Sequence, residues 1–563
     1  MLLGQNNTTA VAPDFCAGLW VTLAGRLVPV KRPPLRFMET CLSEIQPLPD
    51  LSEPQLQRLA QELAFLLRPG DAICLHGELG AGKTTLARAL IRAVANDERL
   101  DIPSPTFTLV QNYETARFGI AHFDLYRLSA PEEIDELGLD HALTHGAALI
   151  EWPERAEDAL PADRLDIFLS DGTVRDGPET RSIRLEGRGL WEPRALRLVA
   201  LHRIVRQAGF VEDDVRLTPI TGDASARHYA RLTSAGGDKQ ALVMDWPRQP
   251  DGPPIRGQHA YSQIAHLAEG TMPFVAIAEA LRATHFSAPE IFARDLENGF
   301  LVLEDLGEHE FKHAMAAGTA QEDLWRAATD TLVALRAVPI PAKLPAAADK
   351  AHVLPPFDKG VLGVETELLL DWYWPAIHGT EAPADQREAY RAAWSGIFDT
   401  LSQEPKRWVL RDFHSPNLIW LGHRSGTQRV GLIDFQDALA GPSAYDLVSL
   451  LQDARIDVDE AIEARLLAHY IAQVQRSEPG FDPNAFRFTY AALGAQRNTK
   501  ILGIFARLAR RDGKLRYLAH IPRVWGYLTR DLAHPELAAL AQWYDAAFPP
   551  NIRAKIPVIR NLG

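Results

Sequence analysis

The sequence predicts two domains: an α/β domain, then an α+β domain of two lobes. Three observations predict it. Strand-like apolar runs alternate with helix-period stretches from residue 52 to about 186, which is the α/β pattern. From residue 194 several strand-like runs come first and long helical stretches follow, the order of an α+β domain. At 563 residues the chain is also too long for one core. The expected divisions are 38–186, a linker at 187–193, and 194–563.

Leu56, Leu59, Leu63 and Leu66 fall at spacings of three and four and predict a helix, which Pro69-Gly70 ends. Residues 72–76 read as a buried strand. A glycine-rich loop and a helix over 84–94 follow. Further strands are expected at 106–113, 120–124 and 147–152. A last pair is expected at 164–169 and 181–185, with Asp171-Gly172 between them. In the second domain a helix is expected from Arg194 through Arg206. Strands follow at 215–219, 226–233 and 240–246. A hairpin joins 290–297 to 300–304 through Asn298-Gly299, a dipeptide suited to a type I′ turn. After Asp305 the chain reads as helical, except for strand-like runs at 408–411, 417–421 and 430–435. The Ala/Pro-rich piece 339–348 reads as a loop.

Net charge is −14, which excludes a chain-wide basic field for nucleic acid. Three cysteines without metal-ligand spacing point to reduced thiols and a cytoplasmic protein. No run of 18 apolar residues occurs, so no membrane span is expected. Residues 1–37 carry four basic residues and one acid and show no sustained period. They read either as a targeting or tail segment or as a disordered or misannotated extension before Met38.

Gly77-Glu-Leu-Gly-Ala-Gly82-Lys83-Thr84 matches GxxxxGK[ST] between a strand and a helix. This is a P-loop in its proper context. Backbone N–H groups around Gly77, Gly80, Gly82 and Thr85 can cradle phosphates. Lys83 is expected to reach the β- and γ-phosphates, and the Thr84 hydroxyl to ligate magnesium. Asp124 ends an apolar strand and is the candidate second metal ligand. Glu151 ends another strand and can orient water, with Trp152 beside it to stack on a base.

GELGAGKTTLARAL, SPTFTLVQNYE, HFDLYRL, EEIDELGLDHAL and IEWPERAEDALP occur in this order over about residues 50–170. This series resembles the bacterial TsaE family, the small ATPases that support the complex making threonylcarbamoyladenosine at position 37 of tRNA. The resemblance implies that Thr106 is a switch residue, that Asp124 holds magnesium, and that Glu151 and Trp152 belong to the nucleotide site. It implies partners of the TsaB/TsaD type, with tRNA involved at most indirectly.

Downstream, Asp412-Phe-His-Ser-Pro-Asn417 contains DxxxxN, and Asp434 follows Asn417 by 17 positions within Ile433-Asp434-Phe435. In phosphoryl transfer to a hydroxyl, one Asp aims the hydroxyl and takes its proton, while an Asn and a second Asp hold magnesium. These roles fall on Asp412, Asn417 and Asp434. Ser225 and Arg227 lie between two strands, where a phosphate-covering loop belongs. Glu304 marks a hinge whose backbone can meet adenine. The strand at 240–246 carries Met244 near the place where kinases usually carry a phosphate-pairing lysine. Either Arg227 supplies that charge or phosphate binding is weaker.

Residues 194–563 resemble the aminoglycoside-phosphotransferase family. GDASARHY, LVMDWP, LVLEDLG, LRDFHSPNL, IDFQDA and QRNTKILGIFARL look most like its AmgK-type sugar kinases. The resemblance implies phosphorylation of the anomeric hydroxyl of N-acetylmuramate and N-acetylglucosamine in cell-wall recycling. The expected fold is therefore an N-terminal α/β P-loop NTPase and a C-terminal α+β bilobal protein-kinase-like (aminoglycoside phosphotransferase) domain, using ATP and Mg2+. Two alternatives stay open: an ATP-gated binding module fused to a degenerate kinase lobe, and a kinase acting on an aminoglycoside or another small alcohol. Glu365, Glu367, Asp371 and Trp372 form either an acceptor-side set or a solvated face. Gln496, Arg497 and Lys500 either neutralise a substrate carboxylate or belong to a charged surface helix.

Overall fold

The computed structural model describes residues 20–23, 26–29 and 48–555, apart from 132, 157–158, 173–178, 212–214, 221–226, 235 and 554. Most of the 1–37 segment and candidate Ser225 lie outside the described residues. No described helix is long and apolar enough to cross a membrane.

The first domain is built on a seven-stranded sheet. Its spatial order is Leu48–Ser52, Thr180–Arg188, Arg164–Asp171, Ala72–His76, Gly146–Glu151, Gly119–Asp124 and Val110–Tyr113. The four strands beginning at 164, 72, 146 and 119 are mutually parallel, and antiparallel strands flank them. The Ala72–His76 strand is buried along nearly its whole length, as a central parallel strand must be. Helix Glu53–Leu66 starts at a capping box. The Ser52 N–H donates to Gln55 Oε1 at 3.0 Å, and the Gln55 N–H donates to Ser52 Oγ at 3.5 Å.

Two expectations change here. The strand expected over 106–113 begins only at Val110. Residues 106–108 form a turn, and Leu109 has φ +63°. The linker expected at 187–193 is continuous structure. Gly187 and Arg188 end one strand, and Trp191 opens helix Trp191–Gln207. Gly187 permits this tight passage, because a Cβ there would lie 2.3 Å from the Trp191 carbonyl oxygen.

The second domain opens with a five-stranded antiparallel sheet, ordered Arg216–Ile220, His228–Thr233, Gln240–Asp245, Phe300–Leu303 and Ile291–Asp295. The final hairpin is not a two-residue type I′ turn. Asp295 pairs with Phe300, so the loop has four residues. Gly299 has φ +75° while Asn298 is not in the left-handed region. Asn298 instead donates its N–H and Nδ2 to the Asp295 carboxylate at 3.0 and 2.9 Å. The helical lobe follows, with small strand pairs Arg407–Val409 with Leu439–Gly441 and Leu418–Trp420 with Val430–Leu432.

Helix Trp191–Gln207 packs against both domains. Its Leu198, Leu201, Ile204 and Val205 are fully buried. They belong to one apolar cluster that runs from the first domain's sheet and Glu53–Leu66 helix to Val243, Phe300 and Val302 of the kinase-like sheet. Polar bonds lock the same seam: Arg58 Nη1 donates to the Phe210 carbonyl at 2.7 Å, and the Leu217 N–H donates to Gln61 Oε1 at 2.8 Å. His202 Nδ1 lies 2.9 Å from Glu62 Oε2. Leu201→Ala is therefore expected to cost about 2–5 kcal/mol and to lower the melting of both domains together. Calorimetry that left one domain's transition unmoved would show that the shared core is not cooperative.

Candidate active sites

The first site forms at the carboxyl ends of the parallel strands. A Cβ at Gly77 would lie 2.4 Å from the Leu169 carbonyl, so only glycine fits where the loop leaves its strand. Lys83 Nζ donates to the Gly77 and Glu78 carbonyls at 2.6 and 2.9 Å and lies 3.5 Å over the Trp152 ring. Burial lowers the Lys83 pKa, against the pull of Glu151, Glu154 and Asp124. Trp152 has φ +59°, a strained backbone for a bulky residue, and this turn brings its ring to the P-loop.

Parallel register places Asp124 opposite Glu151. Thr84 Oγ1 donates to Glu151 Oε2 at 2.8 Å, and Thr106 Oγ1 donates to Asp124 Oδ2 at 2.8 Å. The Tyr126 N–H holds the other Asp124 oxygen at 3.1 Å. A cavity of about 310 Å³ is lined by Gly80, Gly82, Lys83, Thr84, Thr85, Thr106, Asp124, Glu151 and Trp152. The structure thus brings together all the first-domain candidates except Gly77, which closes the loop behind Lys83. Sequence reasoning missed two further residues. Ser104 Oγ lies 2.8 Å from Thr106 Oγ1 and 3.3 Å from Asp124 Oδ2. His122 Nε2 lies 2.9 Å from Glu151 Oε1. The period of two along the strand, which sets His122 and Asp124 on one face, was the available signal for His122.

The second site lies between the lobes. Asn417 Nδ2 donates to the Asp412 carbonyl at 3.0 Å and to Asp434 Oδ2 at 3.2 Å. These bonds tie the three candidates into one cluster. Two buried carboxylates hold the loop that bears Asp412. Asp446 accepts the Leu410 and Arg411 N–H groups at 2.6 and 2.9 Å, and Asp453 accepts the Ser415 N–H at 2.9 Å. Burial pushes Asp446 up to about 7, although the two backbone bonds oppose it. Burial, with Arg455 adding to it, pushes His414 down to about 4. His414 is therefore neutral at pH 7. Arg411 and Asp434 have φ +73° and +62°, strained turns at either side of the cluster.

Arg227 reaches the same cluster from the opposite lobe. It pairs with Asp434, and its Nη1 donates to Gln436 Oε1 at 2.9 Å. Burial alone would raise the Asp434 pKa, yet the Arg227 guanidinium holds it below its ordinary value. Met244 is fully buried in the apolar core. Glu304 commits its side chain to Arg424 and Arg282 at 2.8 and 3.4 Å, and its N–H donates to the Glu290 carbonyl at 2.8 Å.

The acceptor-side candidates separate. Glu365 is buried and binds Arg411, Gln496 and Lys500 at 2.5, 2.9 and 2.7 Å. Burial would raise its pKa, but Lys500 and Arg411 hold it down at about 2. Gln496 and Lys500 therefore belong to an internal charge cluster and not to a solvated helix face. Arg497 donates to the Gln452 carbonyl at 3.4 Å. Glu367 and Asp371 pair with arginines, and Trp372 packs against the core.

Both donor sets suit magnesium. Thr84 with Asp124, and Asn417 with Asp434, offer hard oxygen ligands. One or two carboxylates completed by substrate phosphates are what Mg2+ commonly takes.

The family model described as threonylcarbamoyl adenosine biosynthesis protein TsaE matches residues 51–182, and that of the phosphotransferase enzyme family matches residues 216–487. The N-acetylmuramate/N-acetylglucosamine kinase of Caulobacter vibrioides is 38% identical over 349 residues, covering 60% of this chain and 94% of that protein. Its counterpart in Pseudomonas aeruginosa is 35% identical, covering 58% of this chain and 87% of that protein. The TsaE protein of Rickettsia felis is 44% identical over 118 residues, covering 21% of this chain and 68% of that protein. The chain is an enzyme that uses ATP and Mg2+. It belongs to two families, to TsaE through its N-terminal part and to the N-acetylmuramate/N-acetylglucosamine kinases of the phosphotransferase enzyme family through its C-terminal part.

Proposed function

We propose a bifunctional cytoplasmic protein. Its first domain, 38–186, hydrolyses ATP in support of threonylcarbamoyladenosine formation on tRNA, acting on partners of the TsaB/TsaD type. Its second, 194–563, transfers the ATP γ-phosphate to the anomeric hydroxyl of N-acetylmuramate or N-acetylglucosamine. The kinase reading is carried by the Asp412, Asn417 and Asp434 cluster and its bonds of 3.0 and 3.2 Å. Asp412 aims the sugar hydroxyl in line with the γ-phosphorus and accepts its proton. Bound magnesium, held by Asn417 and Asp434, would neutralise charge on the phosphates. In the first domain Thr84 and Asp124 would hold the metal, Lys83 binds phosphate, Thr106 responds through Asp124, and Glu151 orients water. Measuring ATP consumption by the full chain against amino sugars, aminoglycosides and other small alcohols tests the acceptor. Turnover confined to aminoglycosides would overturn the sugar assignment.

Buried Met244 is the observation that favours a degenerate kinase lobe. The pairing of Arg227 with Asp434 and Gln436 supports the opposite reading, since it sets a cation beside the proposed metal ligand. Arg227→Ala is expected to weaken ATP binding at this site by on the order of tenfold or more, as loss of a charge-assisted phosphate contact. Arg227→Lys is expected to recover part of that affinity. Isothermal titration with a non-hydrolysed ATP analogue measures both. Unchanged affinity in Arg227→Ala would remove Arg227 from the nucleotide site.

A further inference from the structure

Glu151 has a partner that P-loop chemistry does not require. His122 is fully buried, and its Nε2 lies 2.9 Å from Glu151 Oε1. Its Nδ1 is enclosed and has no hydrogen-bond partner among the described residues. With Nε2 spent on the carboxylate, Nδ1 remains a buried polar atom without a partner among the described residues. An unpaired buried polar atom is costly. A leucine or phenylalanine would fill an inner strand position without that cost, so stability does not account for an imidazole here.

Geometry does account for it. The Glu151 carboxylate is held at both oxygens, by His122 at Oε1 and by the Thr84 hydroxyl at Oε2, 2.8 Å away. Thr84 is the residue proposed to turn its hydroxyl oxygen to the metal. His122, fixed within the core, is the contact that stays when Thr84 changes partner. We propose that His122 is a positioning residue for ATP hydrolysis, which locks the Glu151 carboxylate so that Oε2 faces the attacking water. In that step the water oxygen bonds to the γ-phosphorus while the bond from phosphorus to the bridging oxygen breaks. The electron pair leaves on ADP. The water proton passes to Glu151 and then to the released phosphate. His122 acts through Glu151 alone. The inference rests on the ATPase reading of the first domain.

The test uses the full chain carrying Asp412→Asn, without sugar, so that first-site hydrolysis is read. Lys83→Ala in the same background identifies which ADP-binding event and which turnover belong to the first site. His122→Phe is expected to lower kcat by about 10–100-fold, the usual cost of removing a group that orients a catalytic ligand. ADP affinity by isothermal titration and the melting temperature should stay near those of the parent. His122→Gln, whose amide can donate to the carboxylate, should recover most of the turnover. Near-parental kcat in His122→Phe overturns the inference, as does a Gln variant no better than Phe. A loss that tracks ADP affinity and melting also overturns it, because it would mark a structural role only. If the Phe variant does not fold, His122→Asn, polar but shorter, takes its place with the same outcomes. A parent chain without Lys83-dependent hydrolysis would overturn the ATPase reading itself. Parental hydrolysis with an indifferent His122→Phe would overturn this inference alone.

Discussion

Asp412→Asn is expected to keep ATP binding and to lose sugar phosphorylation by about a hundred- to ten-thousand-fold, the usual contribution of a positioned general base. A sugar hydroxyl is a poor nucleophile, and transfer needs it aimed at the γ-phosphorus. The structure supplies a rigid mount for that aim. The loop's backbone is tied by Asp446 and Asp453, and Asn417 bonds the Asp412 carbonyl rather than its carboxylate. The substitution therefore removes the proton acceptor and leaves the mount intact. The proposed metal ligands Asn417 and Asp434 are untouched, so nucleotide affinity should not follow turnover down. Asp434→Asn should behave otherwise. It removes a proposed metal ligand and the partner of Arg227, so affinity and turnover should fall together. The measurements are ATP affinity and steady-state rates with both proposed sugars. Near-normal turnover in Asp412→Asn would refute the assignment of the base, and with it the chief support for the kinase reading.

The parts of both sites that were legible in the sequence are those built from neighbours along the chain. The P-loop, Asp124, Glu151 and the series Asp412, Asn417 and Asp434 declare themselves because each residue ends a strand or lies at a fixed offset from another. The rest depends on contacts between distant segments. Arg227 meets Asp434 across 207 positions, and no local pattern encodes that pairing. Glu365, Gln496 and Lys500 read as either substrate-side groups or surface charge, because helical spacing says which residues share a face, not what covers it. Their burial comes from the packing of helix Lys359–Leu368 against Pro483–Asp512. The expected linker failed for the same kind of reason. Gly187 and Gly189 mark a tight passage in a strand–helix connection, and the signal for a loose tether is the same pair of glycines. Asn298-Gly299 shows the limit of turn rules. A dipeptide suited to one turn sits in a four-residue loop because the Asp295 carboxylate takes the Asn298 N–H and side-chain amide.

Lys83→Ala is expected to reduce ATP turnover by the first domain by at least about a hundredfold, the scale of losing one preorganised charge at a developing anion. Sugar phosphorylation should be retained. Lys83 is almost completely buried, bonded to two P-loop carbonyls and stacked on Trp152, so its loss alters the phosphate cradle and nothing in the second site. The shared core makes the second half of the expectation informative. Helix Trp191–Gln207 joins the two sheets in one apolar cluster, so a disturbance of the first domain's fold would reach the kinase-like lobe. A substitution that only empties the phosphate cradle should not, because the helix bearing Lys83 keeps its buried Leu86, Leu90 and Ile91 face. Sugar kinase rate, ATP hydrolysis without sugar and the melting curve, measured on one preparation, separate these cases. Loss of kinase activity at an unchanged melting temperature would mean that nucleotide occupancy of the first site is sensed by the second. In that event two contacts between the domains could carry the signal: helix Trp191–Gln207, which packs on the ATPase sheet and on Ile291–Asp295 and Phe300–Leu303, and helix Glu53–Leu66, which packs on strand Arg216–Ile220 and bonds it through Gln61.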